Sequence, residues 1–138
     1  MPFVRIDALR ADSATLDALG RAVQEAIVES LGVPATDRFQ VLVSHDGITS
    51  KLTYDNYLGI ERDDGIVFVA IMMREGRTTA QKQALYRRIA DLAKEYAGMD
   101  PRNVFISVTE NQSVDWSMGN GIAQYVVDTG MAASAIST

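Results

Sequence analysis

A proline stands at position 2, directly behind Met1, at the head of the strand-like run Met-Pro-Phe-Val-Arg-Ile-Asp. If Met1 is removed, Pro2 carries the α-amino group as a secondary amine presented at the edge of a sheet. Such a group titrates at about 7.7 to 8.0, within reach of neutrality. The same proline can also be an ordinary terminal residue, and its position alone does not separate the two.

The other residues able to do chemistry stand mostly at element ends, where sheet enzymes place their sites. Asp37 and Arg38 precede a strand, either as working groups or as a cap and a surface pair. Arg74 and Arg77 flank the start of a helix, where the helix dipole does not favour a cation, so their placement leans toward function. His45, beside Asp46-Gly47, reads as a turn residue rather than a general base. Glu110, Asp115 and Trp116 close the set, and the indole suits a core, a subunit interface or a pocket wall. Tyr54 and Tyr57 carry too little context to interpret.

Much chemistry is excluded. The chain has no G-x-S-x-G elbow, phosphate loop, dinucleotide fingerprint or H-E-x-x-H pair. It has no cysteine, which removes disulfides, thiolate nucleophiles and zinc–thiolate sites, and a single histidine cannot build an imidazole metal site. Neither a metal nor a cofactor is expected. The net charge of −5 offers no basic stripe for nucleic acid. No apolar run approaches the roughly 18 residues that cross a bilayer, and the N-terminus lacks a secretory layout, so a cytoplasmic protein without membrane partners is expected.

The elements that must position these groups follow from periodicity. With 138 residues, 47% apolar and 22% charged, the chain is read as one domain over 1–138. Pro2 to Asp7 alternates as a strand. From Asp12, a plausible N-cap, Leu16, Leu19, Val23, Ile27 and Leu31 form one helical face that Gly32 and Pro34 end. Phe39 to Ser44 reads as a second strand, and 47–65 as an irregular strand or hairpin. Ile66 to Met73 is a nearly continuous apolar run of the kind a sheet interior buries. Thr78 or Thr79 caps a second helix with face Leu85, Ile89, Leu92 and Tyr96, closed by Gly98, and Val104 to Val108 is the last strand.

Both halves thus read strand, long helix, Gly then Pro, strand, giving pseudo-repeats over about 2–46 and 66–110. The fold class is α+β: a duplicated β-α-β with a mixed sheet and both helices on one face, as right-handed crossovers require. The other, still apolar face calls for subunit association. A loose tail is expected over about 129–138.

The chain resembles the tautomerase superfamily, and more closely its malonate semialdehyde decarboxylase branch. The resemblance spans nearly the whole length: MPFVRID, Gly32-Val33-Pro34-Ala35-Thr36-Asp37-Arg38-Phe39-Gln40, Ser44-His45-Asp46, Gly76-Arg77-Thr78, Thr109-Glu110-Asn111 and Asp115-Trp116-Ser117. It implies the duplicated fold, a homotrimer, and Pro2 as a catalytic amine exposed by loss of Met1. It further implies that Arg77 binds a substrate carboxylate and that Asp37 activates water or orients substrate. Phe3 and Trp116 supply apolar walls that, with the Arg77 charge, disfavour the protonated amine.

Two departures mark this chain. Glu75 occupies the place of the branch's usual second arginine, and Arg74, one step away, is the available substitute. Met118 and Asn120 stand where the branch commonly carries an aromatic and a large or basic residue, so a flexible thioether replaces an aromatic wall. The resemblance implies an enzyme acting on a small oxo acid, foremost decarboxylation of 3-oxopropanoate to acetaldehyde. Keto–enol tautomerisation of a 2-oxo acid such as phenylpyruvate uses the same residues. A trimeric binding protein that has lost activity is the reading from another class.

Overall fold

The computed structural model describes residues 1–126, and the tail expected over about 129–138 lies outside them. Strand β1 (Pro2–Leu9) is followed by helix α1 (Ser13–Leu31) and strand β2 (Gln40–His45), then by β3 (Val67–Arg74), α2 (Thr79–Ala97) and β4 (Val104–Asn111). The four strands form one sheet in the order β2-β1-β3-β4. Within each β-α-β unit the strands are parallel, and the two units meet through the antiparallel pair β1 and β3.

The helix limits have local causes. The Asp12 carboxylate accepts from the Thr15 amide at 2.8 Å at the head of α1. Of the two candidate threonines it is Thr78 that caps α2, in a reciprocal box with Gln81. Gly32 and Gly98 end the helices at φ 69° and 65°, the left-handed region where a side chain is strained.

The core lies between the helices and one face of the sheet. Val4, Ile6, Val67, Val69, Ile71 and Met73 pack there against Leu19, Val23, Ile27, Leu85, Ile89 and Leu92. The apolar run of β3 is therefore not buried on both faces within the chain: Val67, Val69 and Ile71 point inward, while Ala70 and Met72 face outward. With Phe39, Val41 and Phe105, Met72 gives the outer sheet face exposed apolar residues, alongside the Arg5–Asp7 pair of β1.

The connection over 47–65 contains no strand, contrary to its residue pattern, only a 3-10 turn at Tyr57–Gly59. Side chains hold it instead of a ladder. Asp46 accepts from the amides of Ile48, Thr49 and Ser50. Arg62 donates to the carbonyls of Asp55, Tyr57 and Ile60, and buried Asn103 both donates to and accepts from Asp63.

Candidate active site

Strand register assembles the site. Pro2 pairs with Met73 across the antiparallel ladder, which sets the first residues of β1 beside the last of β3, where Arg74 and then Arg77 follow. On the other side Val4 pairs with Gln40 and its amide donates to the Phe39 carbonyl at 3.0 Å, which brings the 34–39 turn and Asp37 to the same end of the sheet. Groups far apart in sequence meet because β1 lies between β2 and β3.

The α-nitrogen of Met1 lies 4.0 Å from Oδ2 of Asp37, and Pro2 is buried directly behind it. Burial pushes the amine below its ordinary pKa; the Asp37 charge opposes this, and the charges of Arg74 and Arg77 reinforce it. Asp37 moves the other way: burial raises its carboxyl, against the pull of the α-amino group and Arg74. Oδ1 of Asp37 and the Nε atoms of Arg74 and Arg77 are buried with no hydrogen-bond partner among the described residues. Orphaned buried groups are otherwise rare, and here the two guanidinium Nε donors suit a small anion, while the open Asp37 oxygen, an acceptor, calls for a donor such as water or a substrate hydroxyl.

Two cavities adjoin there. One, about 240 Å³, is bounded by Met1, Thr36, Asp37, Met118 and Tyr125 among others. The second, about 200 Å³, is walled by Met1, Phe3, Phe39, Trp116 and Met118. The indole of Trp116 donates to Oδ1 of Asn111 at 2.6 Å, and the Asn111 carbonyl accepts from the Glu75 amide at 2.7 Å. Asn111, last in β4, thus ties the aromatic wall to the segment that carries the arginines.

Pro2, Phe3, Asp37, Arg74, Arg77, Trp116 and Met118 all fall in this region. Asn120, at positive φ, belongs to the turn beyond Met118. Arg38 bonds Gln40 instead, Glu110 pairs with Lys82, and the Asp115 carboxylate accepts from the Gln112 amide. A larger cavity of about 310 Å³ lies elsewhere, against Arg21, Gln24, Glu25 and Arg38. Most of its charges are answered locally, Arg21 by Glu25 and Glu29 by Arg88, while Arg38 bonds the neutral Gln40 side chain.

His45 sits at the far end of β2. Its Nε2 contacts Oδ1 of Asp7 at 2.6 Å and its Nδ1 contacts the Ser50 hydroxyl. The trio has the residue types of a hydrolase triad, but the Ile48, Thr49 and Ser50 amides are committed to Asp46 and are not free to hold an oxyanion. It fastens the 46–50 turn to β1. Among the described residues no cluster of His, Asp or Glu could hold a metal ion, and no helix is long and apolar enough to cross a membrane.

Tyr125 is the site residue that sequence reasoning missed. It is 9% exposed, walls the 240 Å³ cavity, and lies with its ring centroid 3.9 Å from the Arg74 guanidinium carbon. No periodicity marks it, because the segment from Gly119 carries only turn signals.

Comparison with known proteins gives a consistent picture. The model of a family described as tautomerase enzyme matches residues 37–119. The probable tautomerase YusQ of Bacillus subtilis (strain 168) is 38% identical over 128 residues, covering 91% of this chain and 99% of that protein. The crystal structure of FG41 malonate semialdehyde decarboxylase inhibited by 3-bromopropiolate is 37% identical, with a TM-score of 0.82 over 90% of this chain and 94% of the other. A fused 4-OT described as a wild-type symmetric trimer shares the fold, at 21% identity and a TM-score of 0.72 over 95% of this chain and 98% of the other.

Proposed function

Because the chain belongs to the tautomerase superfamily, we propose that it is a cofactor-independent enzyme that uses Pro2, freed by loss of Met1, to decarboxylate 3-oxopropanoate to acetaldehyde and carbon dioxide. The observation that carries this reading is the meeting of the α-amino end and Asp37 at one cavity, with the charges of Arg74 and Arg77, whose Nε atoms have no partner among the described residues, acting on the same amine. The similarity to a malonate semialdehyde decarboxylase supports the substrate class.

In this reading Arg77, with Arg74, holds the carboxylate through planar N–H pairs. Burial and both guanidinium charges, which lower the α-amino group of Met1 at this strand end, favour the neutral form of the amine there. The neutral amine condenses with the aldehyde, expelling water and forming an iminium. The C–C bond to the carboxylate then breaks, its electron pair moves to the iminium, and carbon dioxide departs. Protonation of the enamine carbon and hydrolysis by water held at Asp37 release acetaldehyde and restore the amine. A protonated amine that only polarises the carbonyl gives the same products through an enolate.

Keto–enol tautomerisation of a 2-oxo acid such as phenylpyruvate is the second reading. The apolar cavity between Phe3, Trp116 and Met118 has room for a ring that 3-oxopropanoate does not possess. The name given to the Bacillus relative also fits it. In both readings the enzyme is a homotrimer whose subunits cover the apolar outer sheet face.

The deciding experiment is proton NMR of 3-oxopropanoate with Met1-free protein beside a Pro2→Ala sample. Acetaldehyde formed by the parent alone supports the decarboxylase. No acetaldehyde, together with proline-dependent ketonisation of phenylenolpyruvate, moves the assignment to the tautomerase.

A further inference from the structure

Arg74 is the last residue of β3, and nothing about a strand end fixes a long cation in one orientation. Its guanidinium nevertheless lies against the face of the Tyr125 ring, 3.9 Å from the centroid, while its Nε is buried without a partner among the described residues. A ring contact takes up the flat face of a guanidinium and leaves its N–H donors, which lie in the guanidinium plane, available for a carboxylate. A carboxylate partner within the protein would have consumed those donors.

Tyr125 is itself held in place. The Gln124 side chain accepts from the Met118 amide at 2.8 Å and donates to the Gly119 carbonyl at 2.9 Å, which folds the 118–124 segment back on itself. The ring that results faces the cavity shared by Met1 and Asp37, and it is nearly buried. In that setting a cation–π contact is worth more than on an open surface, because the guanidinium has lost much of its water.

We propose that Tyr125 is a positioning residue that makes Arg74 a second carboxylate-binding cation, so that a stacked arginine at 74 does the work for which Glu75 is unsuited. The role belongs to the ring. The proposal rests on the carboxylate-binding reading of the site, and its test uses binding as well as turnover.

Propanoate, a carboxylate with no reacting carbonyl, is titrated by calorimetry into Met1-free parent, Tyr125→Leu, Tyr125→Phe, Arg74→Ala and the double variant Tyr125→Leu/Arg74→Ala. Tyr125→Leu is expected to weaken propanoate about tenfold. Tyr125→Phe, which keeps the ring, should recover binding to within about threefold, and the double variant should be no weaker than Arg74→Ala alone. With 3-oxopropanoate, Tyr125→Leu should raise KM more than it lowers kcat.

Parental propanoate binding by Tyr125→Leu overturns the proposal, as does a loss by Tyr125→Phe equal to that of Tyr125→Leu, or additive losses in the double variant. If Tyr125→Leu does not fold, Tyr125→Met, which keeps the bulk and lacks the ring, takes its place with the same expectations. A parent that binds propanoate through the stacked pair yet turns over neither oxo acid leaves this proposal standing and sinks the enzymatic reading instead.

Discussion

The α-nitrogen of Met1 and the carboxylate of Asp37 stand 4.0 Å apart with their proton affinities moved in opposite directions by the same burial. Burial lowers the amine and raises the acid, which narrows the gap between them and eases proton exchange through water. Pro2, once terminal, places its own nitrogen one residue further along the same strand end. Its amine should therefore titrate below the ordinary value of about 8, as read by nitrogen NMR of labelled proline. Arg77→Ala removes a cation that favours the neutral form, so it should shift the titration upward. A downward shift, or none, would contradict the electrostatic account. If iminium formation carries the reaction, kcat/KM at low pH rises as the amine deprotonates, and Arg77→Ala moves that limb to higher pH as well.

Pro2→Ala replaces a secondary amine with a primary one on a more flexible backbone. The substitution should lower kcat by about a hundredfold or more while KM changes little, since the loss falls on the reacting group rather than on the carboxylate anchor. Steady-state kinetics with 3-oxopropanoate or phenylenolpyruvate read this directly, and an unchanged kcat removes the proline from the mechanism.

Arg77→Ala acts on the anchor. A charge-assisted contact to a carboxylate is worth about 1.5–3 kcal/mol, which corresponds to a rise in KM of about 10- to 150-fold. Arg77→Lys keeps the charge but not the planar fork and should recover only part of the loss. A KM within twofold of the parent for Arg77→Ala would mean that the arginine does not touch substrate.

At the far end of β1, Asp7 accepts from Arg5 at 3.0 and 3.1 Å and meets His45 at 2.6 Å. Burial alone would raise its carboxyl, but the bonds from Arg5 and His45 outweigh burial and hold it below the ordinary range. A carboxylate with a depressed folded pKa contributes stability that is fully present above its unfolded value, about 3.9, and is lost as pH falls through the folded one. Asp7→Asn should thus destabilise the fold in urea unfolding at pH 7, by no more than about 1 kcal/mol once solvent screening of the exposed Arg5 is allowed for, and progressively less below about pH 4. A cost that does not change with pH would assign the effect to packing instead.

The legible parts of this chain are those governed by short-range rules. Asp12, Thr78, Gly32 and Gly98 mark helix ends because caps are local, and Leu19, Val23 and Ile27 mark a face because a helix repeats every few residues. Proximity of Pro2, Asp37, Arg74 and Arg77 was legible only through resemblance, since it depends on strand order, and periodicity does not encode which strand lies beside which. The 47–65 segment misled because Leu52, Tyr54 and Ile60 are strand formers, whereas Asp46, Arg62 and Asn103 supply bonds that make a ladder unnecessary. Tyr125 was illegible for a related reason: its partner, Arg74, is met through a turn with no repeat.

The outer sheet face sets the last expectation. Phe39, Met72 and Phe105 are 51%, 44% and 50% exposed, and Phe68 stacks edge-on against Phe105 with ring centroids 5.4 Å apart. Phe3 lies opposite Met72, and Phe68 opposite Phe105, so the outer face carries two apolar cross-strand pairs, with Arg5 and Asp7 between them on β1, and water disfavours leaving the rings open. In the proposed homotrimer each subunit buries this face against its neighbours. Phe105→Glu places a charge on this face at the edge strand β4, where desolvation opposes association far more than the loss of one ring does. Light scattering coupled to gel filtration should give three times the chain mass for the parent and the chain mass for Phe105→Glu. Circular dichroism of the variant should stay close to the parent's, because Phe105 lies outside the helix-packed core. A parent that runs as a monomer removes the homotrimer from the proposal. A variant that remains trimeric places the subunit contact away from Phe105.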